Sequence, residues 1–253
     1  MLELKENIHM YTYKTKADGS GYNINLPVFL NGKEALVIDT GFKEQAQLLK
    51  EDLMSKDIRL TRIVLSRYHP DHAGGTSVFE DVEIHCSHKY QANFNKCTQV
   101  WDKETDYKKP TKPVRHGDKL SFGDFNLEFI DGSGHCACGL ISLINGKIAH
   151  LGDLVMYDAF NKPMLPYICP DGSIQEHLAS LRRIKALDLE AVLLSHGQAI
   201  FDKEDIQKAI DMRIVYLENL ANSGGNIELG KALEDNTEEW SFTDWHKNNL
   251  KYV

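Results

Sequence analysis

Long apolar runs are missing from this chain of 253 residues, and no stretch reaches the length that a bilayer-spanning helix needs. The opening M-L-E-L-K-E-N also lacks the basic run, the apolar run and the small-residue site of a secretory signal, so a cytoplasmic protein with no membrane partner is expected. Cysteine is sparse. The five residues Cys86, Cys97, Cys136, Cys138 and Cys169 are odd in number and form no paired framework, which favours reduced thiols over a disulfide scaffold. Positive charge is in deficit too, with 29 Lys and Arg against 37 Asp and Glu and a net charge of −8. A nucleic-acid binder needs a cationic face to meet phosphates, so the balance argues against that partner. The one basic run, Lys108 to Arg115, reads as a solvated loop.

What is present is ordinary for a globular enzyme: 42% apolar and 26% charged residues, enough for one large core or two modest ones. Ile8, Met10 and Thr12 alternate with Tyr11 and Tyr13 at the period of a strand, and Tyr22 to Leu30 alternates in the same way. Asn31-Gly32 marks a hairpin turn. Ala35 to Asp39 and Ile63 to Leu65 are short buried strands on either side of a helical stretch from Lys43 to Lys56. In the second half, strands are expected over Lys119–Phe122, Asn126–Ile130, Leu140–Ile144, Lys147–Leu151 and Ala191–Leu194. Ser173 and Glu176 form a capping box ahead of the apolar stripe Ile174, Leu178, Leu181 and Ile184. Similar strand and helix content in the two halves predicts two packed sheets with helices outside. Gln99 to Val114 has little periodicity and reads as a loop, a candidate lid. A helical extension, residues 202–253, should pack on a main unit of residues 1–201, since Ile206, Ile210, Ile214 and Leu217 share one face. Tyr216, Trp240 and Trp245 are candidates for a homodimer contact.

Four polar clusters stand at the carboxyl ends of expected strands, where sites gather in α/β proteins. They are His69-Pro70-Asp71-His72, Gly134-His135, Gly152-Asp153 and Ser195-His196-Gly197. Histidine and carboxylate suit zinc, iron or manganese, and four His with two Asp could surround one or two such ions. A lone histidine carries little weight: His85, His88 and His150 read as surface or core residues. The four clusters together, in order, are a strong signal.

In that order the chain resembles the metallo-β-lactamase superfamily over roughly residues 5–200. Asp39 in I-D-T-G, R-Y-H-P-D-H followed by A-G-G, G-S-G-H, H-L-G-D and L-L-S-H-G match the family's successive motifs. The resemblance implies an αββα sandwich and a metal-dependent hydrolase. It implies that His69 and His135 serve a first metal position, Asp71, His72 and His196 a second, and that Asp153 bridges them. Asp39 would support the site without touching the metal. Arg67 stands where the family has its first histidine, and a guanidinium has no lone pair to donate and repels a cation. Three readings follow: one ion in the second position; two ions with the nearer one weakened and Arg67 swung aside or gripping an anionic substrate; or a non-catalytic metal-binding or regulatory module. Cys136 could compensate as a thiolate ligand, though a small buried residue is the plainer reading.

The chemistry expected is hydrolysis by a metal-bound hydroxide, zinc being the first choice of ion, with Asp71 orienting the hydroxide and Arg67 supplying positive charge to an oxyanion or carboxylate. A small thioester, lactone or other ester is the substrate class expected. Met156, Tyr157, Phe160, Met164, Leu165 and Tyr167, which follow Asp153, would line an acyl pocket or else form a packed loop.

Overall fold

A computed structural model describes residues 2–15, 21–101 and 104–253. Seven strands make the first sheet: β1 (Leu2–Lys5), β2 (Ile8–Lys14), β3 (Asn23–Asn31), β4 (Glu34–Ile38), β5 (Arg59–Leu65), β6 (Glu83–Ser87) and β7 (Lys112–Val114). They lie side by side in sequence order, antiparallel from β1 to β4 and parallel from β4 to β7. The second sheet orders β12 (Ala191–Leu193), β11 (Ile148–His150), β10 (Leu140–Ile144), β9 (Phe125–Asp131) and β8 (Lys119–Phe122), with only β11 and β12 parallel. The helices are α1 (Lys43–Ser55), α2 (Pro70–Ala73), α3 (Gln91–Lys96), α4 (Ile174–Lys185) and α5 (Lys203–Asn222), with shorter turns towards the C-terminus.

The strand period of two explains the layers. On β4, Leu36 and Ile38 face one way and Ala35 and Val37 the other; on β12, Ala191 and Leu193 oppose Val192. Leu36, Ile38 and Val64 meet Phe125, Leu127, Phe129 and Leu193 of the facing sheet in a core between the sheets. Ala35, Val37, Ile63 and Leu65 turn outward to Ala46, Leu49 and Leu53 of α1. Val192 and Ile141 turn outward to Leu178 and Leu181 of α4 and to Ile206, Ile210 and Leu217 of α5. The result is the αββα sandwich expected, two mixed sheets flanked by helices. Among the described residues no helix is long and apolar enough to cross a membrane.

Three expectations need correction. Gln99 to Val114 is not one loop: Cys97–Trp101 continues α3 as a helical turn and Lys112–Val114 pairs in parallel with β6, while residues 102 and 103 lie outside the described residues. Of the basic run, Lys109, Lys112 and Arg115 are exposed as expected, but it is not wholly a loop, since Lys112–Val114 is a strand and the Lys108 carbonyl accepts from the Tyr68 hydroxyl. Finally, Tyr216 is fully buried, with its hydroxyl bonded to Asn249 and beside His246, and Trp240 is buried as well. Neither side chain is available for a contact with a second copy.

Candidate metal centre

The site forms where the strands of both sheets end. The chain leaves β5 at Leu65, passes Ser66, Arg67 and His69, and enters α2, whose single turn carries Asp71 and His72. Pro70 at the first position of that turn has no N–H to leave unsatisfied and a φ already suited to a helix. His135 follows β9, Asp153 follows β11 and His196 follows β12. Close approach fixes one of these turns: Gly134 has a φ of +143°, and a Cβ there would stand 2.3 Å from Cα of His177 on α4. Asp39, just beyond β4, adopts a left-handed φ of +62° without being glycine. Its carboxylate is held by the Ser66 N–H and hydroxyl, both at 2.7 Å, and accepts from His72 Nδ1 at 2.7 Å.

That bond is one of three that orient imidazoles. His135 Nδ1–H donates to the Tyr167 carbonyl at 2.8 Å, and His196 Nδ1–H donates to the Asn23 carbonyl at 2.7 Å. In each of the three rings a proton on Nδ1 leaves the Nε2 lone pair for the site. His69 is turned the other way, with Nδ1 towards the site and accepting from Arg67 Nε at 3.1 Å.

Among the described residues two groups of ligand atoms result, each spanning no more than 4.8 Å. One is Asp71, His72 and His196. Asp71 oxygens lie 3.5 Å from Nε2 of His72 and of His196, and Asp153 Oδ1 lies 3.5 Å from His196 Nε2 and 3.9 Å from His72 Nε2. Asp153 Oδ1 is buried and has no hydrogen-bond donor. A cation among these four groups fits: about 2.0–2.2 Å from each ligand, a tetrahedral ion sets neighbouring ligand atoms roughly 3.4 Å apart. The other group is His69, His135 and Cys169. Cys169 carried no signal in the sequence, because it lies far from every strand-end motif. Tyr22 was also missed; its ring stands edge-on to His196 at 4.5 Å.

Arg67 lies between the groups and is 2% exposed. Its Nη2 donates to Asp153 Oδ2 and meets His72 Nε2, while Nη1 has no acceptor. The structure thus brings all six expected ligands together and sets the guanidinium against the carboxylate expected to bridge. Charge follows the geometry. Burial works to raise Asp71 and Asp153, but His72, Arg67 and His196 outweigh it and hold both carboxyls far below their usual range. Burial and Arg67 push His135 down to about 4 and His69 well below its ordinary value, so both rings stay neutral. At His72 burial and Arg67 also oppose a proton, yet Asp71 and Asp39 prevail and lift it to about 10. The contact with Arg67 requires Nε2 unprotonated, so the guanidinium supplies the cation that this corner favours.

The other cysteines are buried, with Cys136 Sγ 3.9 Å from Cys138 Sγ and outside both ligand groups. Cys136 is thus the small buried residue of the plainer reading. Of the side chains offered for an acyl pocket, Met156, Met164 and Leu165 are buried in packing, and Tyr157 and Phe160 line a groove with Gln198, Phe201 and Met212 that includes none of the six expected ligands. Tyr167 approaches the site, its ring 6.0 Å from that of His135, and the Tyr157 N–H donates to the His196 carbonyl at 3.1 Å. The loop after β12 is tied to the opposite sheet. Asn25 Nδ2 donates to the carbonyls of Leu194 and Gly197, and the Asn25 N–H donates to Ser195 O.

A two-sheet sandwich with histidine and aspartate at its strand ends defines a class of metal-site proteins, and comparison with known proteins gives the family. A family model described as the metallo-beta-lactamase superfamily matches residues 23–196, and the chain belongs to that family. It is 29% identical over 188 residues to a hydroxyacylglutathione hydrolase of Erythrobacter litoralis (strain HTCC2594), a match covering 74% of this chain and 65% of that protein's length. In fold it is similar to a metallo-beta-lactamase family protein from Thermus thermophilus, with a TM-score of 0.73 at 15% identity, covering 98% of this chain and 94% of the other. A metallo-beta-lactamase from Pontibacter korlensis gives 0.68 at 18% identity, over 86% and 98% of the two chains.

Proposed function

We propose that the protein is a metal-dependent hydrolase of a small thioester or related ester, working with one divalent ion, zinc for preference, held by Asp71, His72, His196 and Asp153. The observation that carries this reading is the buried, donor-free Oδ1 of Asp153 facing two Nε2 lone pairs and the Asp71 carboxylate. Such an ion, when bound, would lower the pKa of a water towards about 7 and polarise a carbonyl oxygen. The chain's own groups do the rest. Asp71 orients the attacking water and accepts its proton. Arg67, fixed on Asp153, leaves Nη1 without an acceptor, a donor for the oxyanion that develops on the substrate carbonyl. Asp39 holds the His72 ring in the tautomer that a ligand needs.

The name of the Erythrobacter relative supports the thioester class, because an acylated glutathione is a thioester. The test is metal content after purification without added metal, together with hydrolysis of a panel of thioesters, lactones and phosphodiesters. One equivalent of bound metal and turnover of a thioester that are both lost in His196→Ala are the expected result. Tight metal with no turnover of any ester would leave the second reading, a binding or regulatory module, which the closure of the cage by Arg67 favours.

A further inference from the structure

We propose that Cys169 supplies the ligand that Arg67 takes away from the first metal position, so that His69 Nδ1, His135 Nε2 and Cys169 Sγ form a thiolate centre suited to zinc or another thiophilic ion. It goes beyond the hydrolase reading and does not depend on it.

The distances are those of a ligand set. Cys169 Sγ lies 3.6 Å from His135 Nε2, and His135 Nε2 lies 3.5 Å from His69 Nδ1. Nitrogens about 2.05 Å and a sulfur about 2.3 Å from a tetrahedral ion stand roughly 3.3 Å (nitrogen to nitrogen) and 3.5–3.6 Å (nitrogen to sulfur) apart. All three residues are more than nine-tenths buried. The supporting contacts are in place as well: His135 is fixed by the Tyr167 carbonyl, two residues before Cys169, and the Cys169 N–H donates to the His135 carbonyl at 2.9 Å. The backbone therefore locks the thiol and the imidazole to each other.

Charge explains why a thiol belongs here. Arg67 removes an imidazole from this corner, adds a positive charge and holds Asp153 Oδ2, which lies 3.8 Å from His135 Nε2. A thiolate restores both a ligand and a negative charge. When the sulfur–metal bond forms, the thiol proton leaves to solvent and no electron is transferred. His69 would offer an ion there the Nδ1 lone pair that Arg67 Nε now shares. A nitrogen–sulfur set selects zinc, cobalt(II) or copper(I) over manganese and magnesium, whereas the carboxylate-rich set of Asp71, His72, His196 and Asp153 tolerates harder ions.

The test is titration of the chelator-stripped full chain with cobalt(II). A thiolate-to-cobalt charge-transfer band in the near ultraviolet is expected, lost in Cys169→Ser with one equivalent of bound cobalt, and kept in Cys136→Ser. His196→Ala, which damages the other position, should keep the band while losing the cobalt absorption that lacks sulfur character, so the two positions fail separately. No band in the unaltered protein, or a band that survives Cys169→Ser, overturns the proposal.

Discussion

Replacing Arg67 by histidine tests the electrostatics of the cage directly. Arg67 and Asp153 are 2% and 6% exposed and form a buried ion pair. Removing one partner of such a pair leaves an uncompensated charge, at a cost of about 3–5 kcal/mol. For a domain of 150–250 residues each kcal/mol moves the melting point by about 2–4 °C, so metal-free Arg67→His should melt about 6–20 °C below the parent. The imidazole brings a lone pair that the guanidinium lacks, so zinc should rescue the variant more than the parent. At a free concentration of 100 times its Kd, an ion adds about 2.7 kcal/mol per site. Calorimetry of both proteins, stripped and zinc-loaded, with metal analysis of each, is the assay. If the stripped proteins melt within about 2 °C of each other, the guanidinium is not compensating a buried charge, and the ion pair is not what holds the empty cage together.

Other outcomes follow from single contacts. His72→Ala should lose tight metal binding and turnover together, read by equilibrium dialysis and by initial rates on a thioester. Burial lowers His177 to about 3, so it stays neutral in the folded chain but takes up a proton near pH 6.5 when unfolded. Its contribution is complete above pH 6.5 and falls as pH drops towards 3, by about 1.4 kcal/mol at pH 5.5. His177→Gln should therefore flatten the dependence of the urea midpoint between pH 6.5 and 4.5, relative to the parent; parallel curves would refute this. Gly134→Ala forces a Cβ against α4 and should cost at least about 1–3 kcal/mol, seen as a lower urea midpoint. Truncation after Phe201 strips Ile206, Ile210 and Leu217 from Leu178 and Leu181, and an insoluble product is expected; a soluble fragment that melts cooperatively would count against it.

The layers were legible because alternation survives on each strand: Leu36 and Ile38 against Ala35 and Val37 already tells which face meets which. The strand-end motifs were legible for the same reason, since each follows a short apolar run. The strand Lys112–Val114 was hidden by its length of three residues and by Pro113, which removes the backbone donor that strand periodicity usually accompanies. Cys169 was hidden because its neighbours in sequence say nothing about His135, which it meets only through the turn before α4. Arg67 was visible as a departure from the family pattern, but that it lies across the cage, on Asp153 and His72, is a property of three dimensions.

The tie between Asn25 and the loop carrying His196 joins residues about 170 positions apart in the chain. Closing so long a loop is entropically expensive, and contacts of this range form late and slow folding. His196 therefore reaches its place only after the first strands and the last strand have met. During refolding, metal binding at Asp71, His72 and His196 should lag behind the appearance of secondary structure, making the ion a reporter of the final step rather than a seed for the first.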